Sequence, residues 1–171
     1  MSRISYIAGL LAIILLFGVS AFAQSKAETE YQKGMQYMEK ALGETRDSTA
    51  KKENFEAAED AFNSIVKGKT TKDSVQAIFS QLELARIKAE GVGSKKNLTM
   101  AYEQLKQLVT RWDKDPATLE RIGFTEAEVA EIQDKIAEAK DYKAEVAVKL
   151  DKENSHKLQY KLMDLLVRMT G

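Results

Sequence analysis

The sequence predicts an all-α protein built from antiparallel helical hairpins stacked as a short solenoid, followed by a long helix and an amphipathic C-terminal helix. Three observations carry this. Apolar residues recur at steps of three and four through most of the chain. One Pro and nine Gly in 171 residues leave few of the tight turns that an all-β fold needs. Two stretches of the chain also align with each other without gaps.

The first twenty-three residues precede the helical array. Arg3 is the only charge before Lys26, and Ile4 to Ala23 is almost wholly apolar. A basic start, an apolar run and the small residues Ala21 and Ala23 before Gln24 match a secretory signal cleaved after Ala23. The same 20 residues, Ile4 to Ala23, are long enough to remain as a membrane anchor. Both readings export residues 24–171, because Arg3 holds the N-terminal end inside. The chain has no Cys, which suits an oxidising compartment and removes disulfides, thiolate metal sites and cysteine nucleophiles.

Four amphipathic helices follow. Residues 25–42 place Ala27, Tyr31, Met35, Met38 and Leu42 on one side, and residues 52–67 do so with Phe55, Ala58, Phe62, Ile65 and Val66. Residues 73–90 present Val75, Ile78, Leu82, Ala85 and Ala89, and residues 97–112 present Leu98, Ala101, Leu105, Leu108, Val109 and Trp112. Each spacing is the 3.6-residue period of a helix with one apolar side. Polar or Gly-containing segments at 43–51, 68–72 and 91–94 separate them, and Asp115-Pro116 closes the fourth. Gly91-Val92-Gly93-Ser94-Lys95 lacks the spacing of a phosphate-binding loop and follows a helix, so it reads as a helix end.

The segment from Phe55 to Val66 aligns on Leu98 to Val109 at an offset of 43 residues, with apolar or small residues coinciding at 55/98, 58/101, 62/105, 65/108 and 66/109. The helices before them align at 44, through Tyr31/Val75, Met38/Leu82 and Ala41/Ala85. This is a two-fold repeat of a helical hairpin. The order Phe55, Ala58, Phe62, Ile65 resembles the second helix of a tetratricopeptide repeat, and Asp115-Pro116 sits where that family places its terminal Pro. The resemblance covers residues 27–116 and implies a concave groove for a protein or peptide partner, with Gln32, Gln36, Gln81 and Lys88 as candidate groove residues. The unit here is longer than that family's 34 residues.

Beyond the array, Thr125-Glu126-Ala127-Glu128 is a capping box, with Phe124 and Val129 as its hydrophobic staple. A helix of about 25 residues follows, carrying Val129, Ile132, Ile136, Ala139, Val146 and Leu150 and interrupted at Lys143. Residues 117–153 are thus a capping or stalk helix. Residues 154–171 form a separate amphipathic helix, with Leu158, Leu162, Leu165, Leu166 and Met169 on one face. That face fits a membrane interface or a last packing helix. Asn154-Ser155-His156-Lys157, Tyr160 to Asp164 and Val167 to Gly171 resemble the stretch just before the core of bacterial YidC/Oxa-type membrane protein insertases. The resemblance implies an extracytoplasmic N-terminal region of such an insertase, held at the bacterial inner membrane and facing the periplasm. The core helices of that family have no counterpart within these 171 residues. The other reading is a stand-alone periplasmic scaffold or adaptor.

Reaction chemistry finds no foothold. His156 is the single His, so neither a two-histidine metal site nor a conventional triad can be built. Lys plus Arg and Asp plus Glu are 26 each, a balance that argues against nucleic-acid binding. The expectation is a non-enzymatic interaction module with no cofactor, one protein or peptide partner, and membrane contact through its N-terminal segment and its C-terminal helix.

Overall fold

The computed structural model describes residues 26–68, 74–92 and 96–170, with side chains as far as Arg168. The signal or anchor segment, including Ala21, Ala23 and Gln24, lies outside the described residues, as does the side chain of Met169. Of the described residues, 87% are helical and none is in a strand, as an all-α protein requires.

Six helices run in order: α1 (26–43), α2 (Ser48–Val66), α3 (Val75–Glu90), α4 (Leu98–Trp112), α5 (Pro116–Arg121) and α6 (Glu126–Thr170). The first four lie where the apolar spacing puts them, with one shifted boundary. Helix α2 starts four residues before the expected position 52. The Asp47 carboxylate caps it, accepting from Thr49 N at 2.8 Å and Ala50 N at 3.0 Å. Glu44 folds the preceding turn by accepting from the backbone of Arg46 and Asp47, which holds its carboxyl below the usual range.

Two other differences lie in the C-terminal half. Pro116 ends α4 as expected but also opens α5, because a missing N–H costs nothing at the first helical position. Asp115 caps this short helix through Thr118 N at 3.0 Å. The helices expected at 125–150 and 154–171 are one continuous element of 45 residues. No Gly or Pro occurs between Glu126 and Thr170, and Asn154-Ser155-His156 costs only about 0.5 kcal/mol per residue in propensity, too little to break a helix.

The chain divides into two compact units, one up to Glu83 and one from Leu84, so α3 contributes to both. In the first unit, Ala27, Tyr31, Met38 and Ala41 of α1 are buried together with Phe55, Ala58, Ala61, Phe62 and Ile65 of α2. Tyr31 stacks obliquely on Phe62 with ring centroids 5.7 Å apart and edge-on to Phe79 of α3 at 6.0 Å. Gly34 lets α1 approach this cluster, since a Cβ there would stand 2.5 Å from a Phe62 ring carbon. Leu42, expected on the buried side, is instead 52% exposed at the end of α1.

In the second unit, Leu98, Ala101, Leu105, Leu108 and Trp112 of α4 and Leu119 of α5 are buried, as are Val129, Ile132, Ile136, Ala139 and Val146 of α6. Both α4 and α5 pack on α6. Trp112, expected as core, meets Phe124 edge-on at 5.9 Å. Between α5 and α6 the chain turns at Gly123, whose φ of 111° is a conformation that a side chain disfavours. The capping box forms as predicted: Glu128 accepts from Thr125 N and Oγ1, both at 2.8 Å, and the Thr125 hydroxyl accepts from Glu128 N at 3.3 Å.

The positions aligned in the sequence share their burial. Both members of 31/75, 38/82, 41/85, 55/98, 58/101, 62/105 and 65/108 are buried, and both members of 66/109 are half-buried.

Candidate functional site at the end of the long helix

Helix α6 is packed along its first half and exposed along most of its second. Besides its apolar stripe, four polar ties hold the anchored half. Glu138 accepts from Lys135 at 2.7 Å and pairs with Arg86 of α3. Lys140 donates to Asp113 at 2.8 Å. Tyr142 donates to Glu90 of α3 at 2.9 Å, and Lys149 donates to the same Glu90 oxygen at 2.6 Å. The Arg86 guanidinium lies 5.4 Å from the Tyr142 ring centre, in cation–π range. Burial pushes the Glu90 carboxyl up, but hydrogen bonds from Lys149 and Tyr142 outweigh it and hold the group below its ordinary value. Glu138 follows the same balance, with burial opposed by Lys135 and Arg86. Burial and the Glu90 carboxylate together raise the Tyr142 hydroxyl well above its ordinary value.

The ties end at Lys149. Leu150 and Glu153 are half-buried, and every residue from Asn154 to Arg168 is exposed. The 17 residues from Asn154 to Thr170 extend about 25 Å at 1.5 Å per residue. Leu158, Tyr160, Leu162, Met163, Leu165, Leu166 and Val167 on this extension are between 54% and 73% exposed. Seven large exposed apolar side chains on one helix end are unlike the isolated exposed residues of an ordinary surface. Leu158, Leu162, Leu165 and Leu166 are thus exposed, while Met169 lies beyond the described side chains.

The charges on this extension form one narrow stripe. Lys157, Lys161, Asp164 and Arg168 follow at steps of four, three and four, which confines them to a sector of roughly 60° at 3.6 residues per turn. Lys157 pairs with Glu153 at 2.6 Å and Arg168 with Asp164 at 2.8 Å. Between Leu158 and Arg168, every residue off that stripe is apolar except Gln159. Carrying the same rotation back along the helix puts the stripe on the side of Val129, Ile132, Ile136, Ala139, Val146 and Leu150. The packed side of the first half therefore continues as the charged side of the second. The apolar side of the extension faces the opposite way.

Beside the N-terminal end of α4, an open cleft of about 650 Å³ is lined by Lys96, Asn97, Leu98, Thr99, Leu150, Glu153 and Lys157. Asn97 caps α4 through Met100 N at 2.9 Å. Among the described residues, no group of three or more His, Cys, Asp or Glu could hold a metal ion, and no helix is long and apolar enough to cross a membrane. His156 is exposed on α6.

The sequence-predicted groove residues divide between settings. Gln32 and Gln36 lie on the exposed side of α1, where Gln32 donates to Glu28 at 2.8 Å. Gln81 is half-buried on α3 in the first unit, and Lys88 is half-buried on the part of α3 that belongs to the second. Sequence reasoning missed the anchors Glu90, Tyr142 and Lys149, because their partners lie 52 and 59 residues apart and leave no local signal. The opposition of the two sides of α6 was readable, by carrying one helical phase across residue 150. Comparison of the chain with protein-family profiles, curated proteins and solved structures gave no match.

Proposed function

We propose that this chain is an exported, membrane-associated helical-repeat module that presents a tetratricopeptide-like docking surface outside the cytoplasm. In this reading it is the region in front of the core of a YidC/Oxa-type membrane protein insertase. The observation that carries it is the exposed end of α6. Seven exposed apolar side chains covering the helix outside one narrow charged stripe suit a helix lying in a bilayer interface, with Lys157, Lys161 and Arg168 kept in water. The sequence likeness of residues 154–171 to the pre-core stretch of those insertases adds the second support. The repeat supplies the third: matched pairs bury the same positions of each hairpin, the arrangement that stacked repeats use to build an extended surface for a peptide or helix.

Reading the gene through and beyond codon 171 tests the insertase assignment. An in-frame continuation into several apolar stretches of about 20 residues is the expected result. A stop codon there would overturn it in favour of a stand-alone periplasmic scaffold, whose partners would then be sought by affinity capture on residues 24–171.

A further inference from the structure

The chain does more than touch a membrane with one end: we infer that α6 lies flat between the bilayer and the rest of the second unit, fixing that unit's orientation. The inference rests on the membrane reading of the free helix end and adds to it the attitude of the folded part. Three observations lead to it. Helix α6 is one uninterrupted rod from Glu126 to Thr170, with no Gly or Pro to bend it. Its packed positions and its charged stripe lie on one side, so a bilayer that receives the apolar side meets the rod from the side opposite α4 and α5.

The third observation is the row that faces that bilayer along the anchored half. Ala130, Asp134, Ala137, Asp141, Ala144, Val148 and Asp151 are all exposed, and at 3.6 residues per turn their side of the rod runs on into Leu162, Met163 and Leu166. The row is apolar only in its last part. Leu158 to Val167 therefore enter the acyl boundary, while the anchored half, with its three aspartates on this row, rests at headgroup level. Helix α4 is then carried on the water side, with its outer positions such as Thr110 turned away from the lipid.

The absence of Cys gives a clean test, because each introduced thiol is the only one in the chain. Leu162→Cys, Val148→Cys and Thr110→Cys are labelled one at a time with an environment-sensitive fluorophore in the full chain. Each is mixed with phosphatidylcholine vesicles containing a minority of phosphatidylglycerol and a nitroxide lipid quencher. All three sites are exposed, so the labels do not disturb a core. The expected result is strong loss of emission at 162 with acyl-chain nitroxide, loss at 148 with headgroup nitroxide alone, and none at 110.

Quenching at 162 without quenching at 148 would overturn the flat attitude and leave the membrane reading standing. Quenching at 110 as strong as at 148 would overturn the orientation of the unit. No quenching at any site would sink both. A blue shift at 162 that grows with protein concentration in the absence of vesicles would show that a second copy covers this face instead.

Discussion

At Gly34 the closest packing in the first unit depends on one missing methyl group. In a solvent-exposed helix interior, Gly→Ala stabilises by about 1 kcal/mol, because alanine loses less backbone freedom on folding. At Gly34 the new Cβ would meet the Phe62 ring at 2.5 Å, and Phe62 is itself fully buried against Tyr31. Overpacking of this kind costs about 1–3 kcal/mol, so the steric effect wins. Gly34→Ala should lower the midpoint of urea unfolding, whereas Gly43→Ala, with nothing within 4 Å of its Cβ, should leave it unchanged or raise it. Equal midpoints for the two variants would contradict the close approach of α1 and α2.

Glu90 sets a second residue-scale expectation, this time against pH. Its folded-state pKa and that of Glu138 lie below the ordinary value of 4.5. The stability that such groups add is present above that ordinary value and is lost as pH falls through the lower folded-state value. Acid titration should therefore weaken the second unit only below about pH 5. Glu90→Gln should cost under about 1 kcal/mol at neutral pH, because the Glu90 side chain is 38% exposed and Lys149 is screened by solvent. The same variant should flatten the acid limb of a plot of stability against pH. An acid limb as steep as the parent's would assign that limb to other carboxylates.

At the scale of elements, the question is what keeps α6 a single helix of 45 residues. Its start is fixed by the reciprocal Thr125–Glu128 bonds, and Thr125→Ala should cost about 1 kcal/mol, read as a lower unfolding midpoint. Its far end is exposed from Asn154 to Arg168, so helix propensity and the Lys157–Glu153 and Arg168–Asp164 pairs help to sustain it there. Ser155→Pro tests this division. A proline at 155 removes the bond to Asp151 and kinks the rod, yet touches nothing in the folded unit. Circular dichroism should show lost helix while the unfolding midpoint stays within about 0.5 kcal/mol of the parent's.

The same elements show where sequence reading succeeds and stops. Periodicity located α1 to α4 and the buried residues Phe55, Ala58, Phe62 and Ile65, because an apolar stripe is a local property that burial then uses. It overreached at Leu42, where the stripe outlasts the helix that could bury it. It missed α5, because Pro116 signals an end and a beginning equally well. It split α6 at residue 154, where the apolar side changes while the backbone continues. For the candidate site, the apolar residues and flanking charges were legible one by one. Their direction follows from carrying the phase of the Val129–Leu150 stripe across residue 150, whereas the ties of Glu90 to Tyr142 and Lys149 leave no local signal because they join residues 52 and 59 apart.

For the whole molecule, the exported reading places two hydrophobic segments near one bilayer: residues 4–23 and the free end of α6. They differ in kind. The first has the length and uniform apolarity of a span or signal, while the second has a charged stripe that suits the interface and not a span. Their contributions separate by experiment on a chain beginning at Gln24. Under the proposed reading, vesicle binding without the N-terminal segment should rest on Leu158 to Val167 and on the three cations beside them. Leu162→Glu together with Leu165→Glu puts two charges into the apolar side without touching the folded unit, since both positions are more than half exposed. The double variant should fail to float with vesicles while its circular dichroism and unfolding midpoint match the parent's. The parent's binding should weaken only modestly with salt, because Asp164 and Glu153 already neutralise two of the cations and leave apolar burial as the main attraction. A double variant that still floats, or a parent that detaches fully in moderate salt, would move the membrane contact away from the leucines and onto charge.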